Sequence, residues 1–155
     1  MIADERMVRQ MLKGISMLML LVALSLVTAS VSAQGSHSEY ANIPFDFLTG
    51  DKEMTAGRYQ VSRMTSNGDA ICVRGTENSQ SAIKLSNNLV RTNPATESKL
   101  VFHRYGNTYF LSEVWIAGES NGREIRKSNA EKAVERELAA SQKRYESVTV
   151  ALARD

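Results

Sequence analysis

The chain has 155 residues, 43% of them hydrophobic, and carries 19 Lys and Arg against 17 Asp and Glu, with 2 His and 1 Cys. So even a charge balance excludes a protein held to nucleic acid by a dense cationic surface. A single cysteine excludes an intramolecular disulfide, and with so few histidines it excludes the usual zinc ligand sets.

The N-terminal stretch "MIADERMVRQMLKGISMLMLLVALSLVTASVSAQG" sets Arg9 and Lys13 ahead of an apolar run from Ile15 to Val27. Val31-Ser32-Ala33 then offers small residues where a signal peptidase reads. The run falls short of the ~20 apolar residues of a transmembrane helix. A signal peptide over 1–33 is expected, with cleavage between Ala33 and Gln34, export to the periplasm or beyond, and no stable membrane span after cleavage. The rival is an uncleaved anchor, with the apolar run extended to Val31 across a thinned bilayer. Starting at Met7 or Met11 would leave the same mature product. Cys72 lies far from the cleavage site, so a lipid-modified N-terminal cysteine is not expected.

The remainder suits one domain with one core. Its charge is close to neutral, because Arg6, Arg9, Lys13, Asp4 and Glu5 all precede the cleavage site. Residues 34–40, "QGSHSEY", read as a flexible leader containing His37. Residues 41–155 read as the domain.

Along that domain, Ile43, Phe45 and Phe47 alternate as in a strand, with Pro44 near its start. Tyr59, Val61 and Arg63 alternate in a second strand. Asn67-Gly68 has the residues of a tight hairpin turn, which leads to Ala70–Arg74 as the partner strand. Cys72, between Ile71 and Val73, reads as a small buried hydrophobe. Short strands are expected at 82–85 and 88–92, and Asn93-Pro94 marks a turn.

The clearest hairpin is "KLVFHRYGNTYFLSEVW", residues 99–115, turned at Gly106-Asn107. It carries Phe102, Tyr105, Tyr109, Phe110 and Trp115. In simple two-residue register, His103 faces Phe110 and Phe102 faces Leu111. Leu100, Phe102, Arg104, Tyr109, Leu111, Glu113 and Trp115 then share one side. Val101, His103, Tyr105, Phe110, Val114 and Ile116 share the other. Both sides are largely apolar, so the hairpin is expected to be covered twice.

"GREIRKS" reads as a basic connection. It leads to an amphipathic helix over about 128–144, with a capping box at Ser128 and Glu131 and a stripe of Ala130, Ala133, Val134, Leu138 and Ser141. Lys143 and Arg144 fall in its last turn. Tyr145–Leu152 alternates as a final strand.

Chemistry is sparse. His103 is the natural general acid or base, yet no Gly-x-Ser-x-Gly elbow occurs and the simple register sends Glu113 to the opposite side. No catalytic, metal or cofactor residue is assigned, and no cofactor is expected. An EF-hand pattern is missing, although the loop "SNGDA" has oxygen ligands of the kind calcium takes. His103, Arg104 and Tyr105, near the turn, remain the candidates for ligand contact.

Together, "IPFDFLTGDKEMTAGRYQV", "SKLVFHRYGNTYFLSEVW" and "GREIRKSNAEKAVERELA" resemble a family of small secreted bacterial β-rich proteins of unknown function. Its members share a PFDF-like strand, an L-x-F-x-R-Y-G hairpin and a G-R-E segment entering a charged helix. The resemblance covers most of 41–140 and implies an architecture and an exported location, with no catalytic residue.

The expected fold is mainly β, a small antiparallel barrel or sandwich of seven or eight strands with one C-terminal helix packed on it. The expected role is a non-enzymatic exported binding or envelope component with no nucleic-acid partner. The alternatives are a carrier of a small apolar ligand inside a barrel and a hydrolase using His103.

Overall fold

The computed structural model describes residues 38–65, 67–142 and 144–154. The expected signal peptide, its cleavage between Ala33 and Gln34, and the first part of the leader lie outside the described residues. The described chain runs β1 (Ser38–Ile43), β2 (Phe47–Thr49), β3 (Lys52–Met54), β4 (Gly57–Arg63), β5 (Ala70–Gly75), β6 (Ser81–Val90), β7 (Lys99–Tyr105), β8 (Thr108–Trp115), β9 (Asn121–Ile125), α1 (Asn129–Ala140) and β10 (Glu146–Ala151). It is mainly β, with the one helix near the C-terminus.

The strands form one sheet in the order β1-β4-β5-β6-β9-β8, with β7 on the other edge of β8 and β10 beyond β7. All these pairs are antiparallel. The short β2 lies parallel to β8 at Leu48 and Phe110 and carries β3. The sheet curls back on itself in the manner of a sandwich but does not close as a continuous ladder. Its extreme strands meet near one bridge, where Tyr40 and Ala153 exchange hydrogen bonds of 2.8 and 2.9 Å.

Inward residues explain the curl. Ala41, Ile43, Phe47, Met54, Tyr59, Val61, Ile71, Val73, Ala82, Leu100, Phe102, Leu111, Val114 and Ile125 join one buried cluster, so each strand from β1 to β9 gives it at least one side chain. The aromatic centre is tight: Phe47 meets Tyr59 edge-on at 5.2 Å and Phe102 at 5.4 Å.

Several local readings agree with the structure. Gly68 and Gly106 take φ of 68° and 63° at the two expected hairpin turns. His103 pairs with Phe110 and Phe102 with Leu111. Cys72 is buried in β5.

Others need correction. The leader ends earlier than expected, because β1 begins at Ser38 and buries Glu39, which is 1% exposed. The two short strands expected after Ser81 are one strand, β6, which bridges β5 and β9 through its two halves. "NGREI" is strand β9, not a connection. Its Gly122 passes under the Trp115 ring, where a Cβ would come within 2.7 Å.

The helix ends at Ala140, with Ser141 as its cap and no basic residue in its last turn. Its expected stripe is covered only in part. Ala130, Ala133 and Ser141 are exposed, and Val134 and Leu138 are only half-buried. Glu131 is the helix residue that is fully buried.

Candidate functional site

A β-bulge in β8 lies beside the most concentrated polar cluster. Phe102 faces Leu111, but Val101 faces Glu113, so Ser112 is an extra residue in the ladder. Such a bulge puts two successive side chains on one face. Ser112 keeps the His103 side that simple alternation gives it, Glu113 joins it there, and every later residue of β8 reverses. Val114 and Ile116 turn into the main core, while Trp115 turns out to pack with Val101 and Ala95. This corrects the simple register, in which Glu113 and Trp115 shared the face of Phe102. Glu113 does not reach the imidazole, however; it accepts a 2.6 Å hydrogen bond from Trp115 Nε1.

Ser112 Oγ lies 3.0 Å from His103 Nε2, and His103 Nδ1 lies 3.0 Å from Glu131 Oε1 in the first turn of α1. Tyr105 donates its O–H to the same Glu131 oxygen at 3.2 Å. Tyr145, in the link before β10, stacks on the imidazole with centroids 3.9 Å apart. Ser112, His103 and Glu131 are 4%, 6% and 3% exposed.

Half of the expected capping box forms, since Ser128 Oγ accepts from the Glu131 N–H at 3.1 Å. The Glu131 carboxylate does not reach back to the cap. It turns down onto the sheet instead and pins the helix there.

The electrostatics hold this arrangement. Burial first, and then the carboxylates of Glu131 and Glu135, push the Tyr105 phenol well above its usual range, so it remains a donor. Beside it Lys127 lies 2.5 Å from Glu135 and 5.5 Å from the Tyr145 ring centroid. Burial is the largest single influence and works against the Lys127 charge, but the Glu135 hydrogen bond and the charges of Glu135 and Glu131 together outweigh it, and the ammonium titrates higher than usual.

Hydroxyl, imidazole and carboxylate stand here in the order of a charge relay. Approach is the missing element. One neighbouring hollow, of about 270 Å³, is lined by Tyr105, Glu135, Leu138, Ala139, Arg144 and Tyr145. Another, of about 520 Å³, is lined by Arg104, Gly106, Asn107, Leu138, Arg144 and Glu146. Neither is lined by Ser112 or His103.

The three candidates for ligand contact are therefore not brought together. His103 and Tyr105 lie beneath α1, with Tyr105 3% exposed. Arg104 points to the other side of β7, donating to the Gly106 carbonyl at 2.8 Å and reaching Glu146 at 3.4 Å. Its guanidinium also lies 5.6 Å from the Tyr109 ring, the stacking that direct pairing suggests.

Ser112 and Glu131 are the participants the sequence reading missed. A usable signal was "FLSEVW", where two polar residues between two apolar pairs break strict alternation. Among the described residues, no group of three or more His, Cys, Asp or Glu is placed to hold a metal.

No protein-family model matches the chain, and no curated protein or solved structure resembles it at a significant level.

Proposed function

We propose that the chain is an exported, non-enzymatic β-domain that works by binding at its surface, as a periplasmic or extracellular part of the cell envelope. The observation that carries this reading is the filled interior. Side chains from β1 to β9 meet in one cluster, so the space a barrel carrier would use for an apolar ligand is occupied by the protein itself. The Ser112–His103–Glu131 cluster is satisfied internally, which leaves the surface as the place for contacts. The signal-peptide pattern ending at Ala33 supports the exported location.

Export is tested by fractionating cells that express the full chain and sequencing the N-terminus of the product. The expected product starts at Gln34 and lies outside the cytoplasm. Intact protein starting at Met1 in the cytoplasm would overturn the reading. Native mass spectrometry of the same product should show the polypeptide alone, whereas a co-purifying apolar molecule would restore the carrier.

One observation favours a second reading. The relay has 3.0 Å on both sides of the imidazole, the order a serine hydrolase uses to activate its hydroxyl. Access is the obstacle, because the helix that would lift to admit a substrate also carries Glu131. A fluorophosphonate probe should leave the wild-type chain unlabelled. Labelling at Ser112 that disappears in His103→Gln would establish the hydrolase instead.

A further inference from the structure

A cleft of about 360 Å³ opens between the β2–β3 hairpin, Gln80 and Asn107–Tyr109 at the β7–β8 turn. It lies at the end of the curled sheet where β1 gives way to β2, β5 turns into β6 and β7 into β8. This end is the counterpart of a barrel mouth, a place where ligand sites gather, and the volume falls near the lower end of their usual range of about 300–1,000 Å³.

The floor of the cleft is apolar. Phe47 and Met54, each 1% exposed, belong to the core, and half-buried Leu48 pairs with Glu53 across the hairpin. The rim is polar, and its groups are held from behind. Asp46 Oδ1 accepts the Ala56 N–H at 2.7 Å, which leaves the second carboxylate oxygen without a partner among the described residues. Gln80 Oε1 accepts the Thr55 N–H and the Tyr59 O–H, each at 2.9 Å. A backbone N–H only donates, so this contact fixes which way the carboxamide lies and leaves Nε2 uncommitted. Phe45 stacks on Tyr109 with centroids 4.0 Å apart, which sets that ring in place.

Among the described residues the side chains of Glu53, Asn107 and Thr108 and the Tyr109 hydroxyl have no hydrogen-bond partner. The cleft thus offers open acceptors on Asp46 and Glu53 and an open donor on Gln80. Asn107, Thr108 and Tyr109 offer both.

Resting on the surface-binding role proposed above, we propose that this cleft binds a neutral saccharide. Hydrogen-bonding capacity decides among the ligands. An acidic molecule would be repelled by the Asp46 and Glu53 carboxylates. An apolar one would strip them of water and return no hydrogen bond. A small cation would use the carboxylates alone, and cations already stand beside the cleft: Lys52 Nζ lies 2.6 Å from the Ser81 carbonyl, and the Arg104 guanidinium lies 5.6 Å from the Tyr109 ring. Sugar hydroxyls both donate and accept, so neighbouring hydroxyls meet a carboxylate and an amide N–H together. The C–H face of the ring suits Leu48, in the usual mixture of apolar lining and a few placed polar groups.

The test uses the protein as cells process and export it, isotopically labelled and titrated with chitotriose, cellotriose or maltotriose while its amide resonances are followed. Saturable shifts are expected at Leu48–Thr55, Gln80 and Asn107–Tyr109, and the amides of α1 should stay still. Glu53→Ala should weaken binding about tenfold, the effect of losing one hydrogen bond to a charged group. Thr108→Val keeps the side-chain shape, loses a neutral hydrogen bond and should weaken binding about threefold. The amide spectrum also shows whether each variant is folded; if one misfolds, the other decides.

Preference for chitotriose assigns an N-acetylated glycan and preference for the other two a plain glucan; both support the saccharide. Absence of saturable shifts with all of these sugars, shifts confined to other parts of the sheet, or wild-type binding by a folded Glu53→Ala would overturn the proposal. So would tighter binding of spermidine or of trigalacturonate, which would assign the cleft to a cation or to an acidic ligand. A product found outside the cytoplasm that binds none of the sugars would sink the saccharide site and leave the proposed function standing. A cytoplasmic product that binds them at the cleft would do the reverse.

Discussion

Glu131→Ala is expected to release helix α1 from the sheet and to lower the unfolding free energy by about 2–4 kcal/mol, since each buried donor left without an acceptor costs about 1–3 kcal/mol. The two stranded donors are His103 Nδ1–H and Tyr105 O–H, which share Glu131 Oε1 at 3.0 and 3.2 Å. Little else holds the helix down, because Ala130 and Ala133 are exposed and Val134 and Leu138 are half-buried. Urea unfolding reads the loss, and hydrogen exchange should show amides 131–140 losing protection while β7 and β8 keep theirs. Glu131→Gln retains one acceptor oxygen and should fall between alanine and wild type. A Glu131→Ala protein with wild-type stability and a protected helix would show that the apolar contacts of Val134 and Leu138 dock α1 instead.

Phe102→Ala should cost about 3–5 kcal/mol, the range for removing a fully buried aromatic ring. A domain of this size commonly has only about 5–15 kcal/mol in all. Phe102 has no exposed surface and meets Phe45 at 5.2 Å and Phe47 at 5.4 Å, both edge-on. It joins the β7–β8 hairpin to β2, which pairs with β8 at a single position, Leu48 with Phe110. The variant should therefore loosen residues 45–54 before the rest of the sheet, visible as early loss of amide protection there. A loss under about 1 kcal/mol would mean that the site collapses around the missing ring.

The two predictions test opposite faces of one hairpin. The inner face is apolar and joins all the early strands. The outer face is polar at its centre, with Tyr145 and α1 drawn down onto His103. The expectation that the hairpin is covered on both faces is met by the core against Leu100, Phe102 and Leu111 on one side and by α1 and the segment around Ala95 on the other. The expected helix stripe is covered only in part for a physical reason. Small apolar residues at helical spacing gain little by burial, whereas the buried donors of β7 need an acceptor, and Glu131 is the one placed to supply it.

Local chemistry was legible wherever a residue's own conformational limits decide the outcome. Gly68 and Gly106 take the positive φ that the hairpin turns require, Ser128 caps the helix, and the alternation of "VTVAL" marks β10. Element type also followed from periodicity, so the mainly β fold could be read directly. Pairing across distance is not written in local chemistry. The bulge at Ser112 depends on β7 and β8 finding a register that buries both Leu111 and Val114, and one inserted residue reverses every side chain after it. The meeting of Ser112, His103 and Glu131 depends on the docking of a helix 28 positions after the histidine. Ile83 and Leu85 likewise lie outside the core only because β6 passes from β5 to β9.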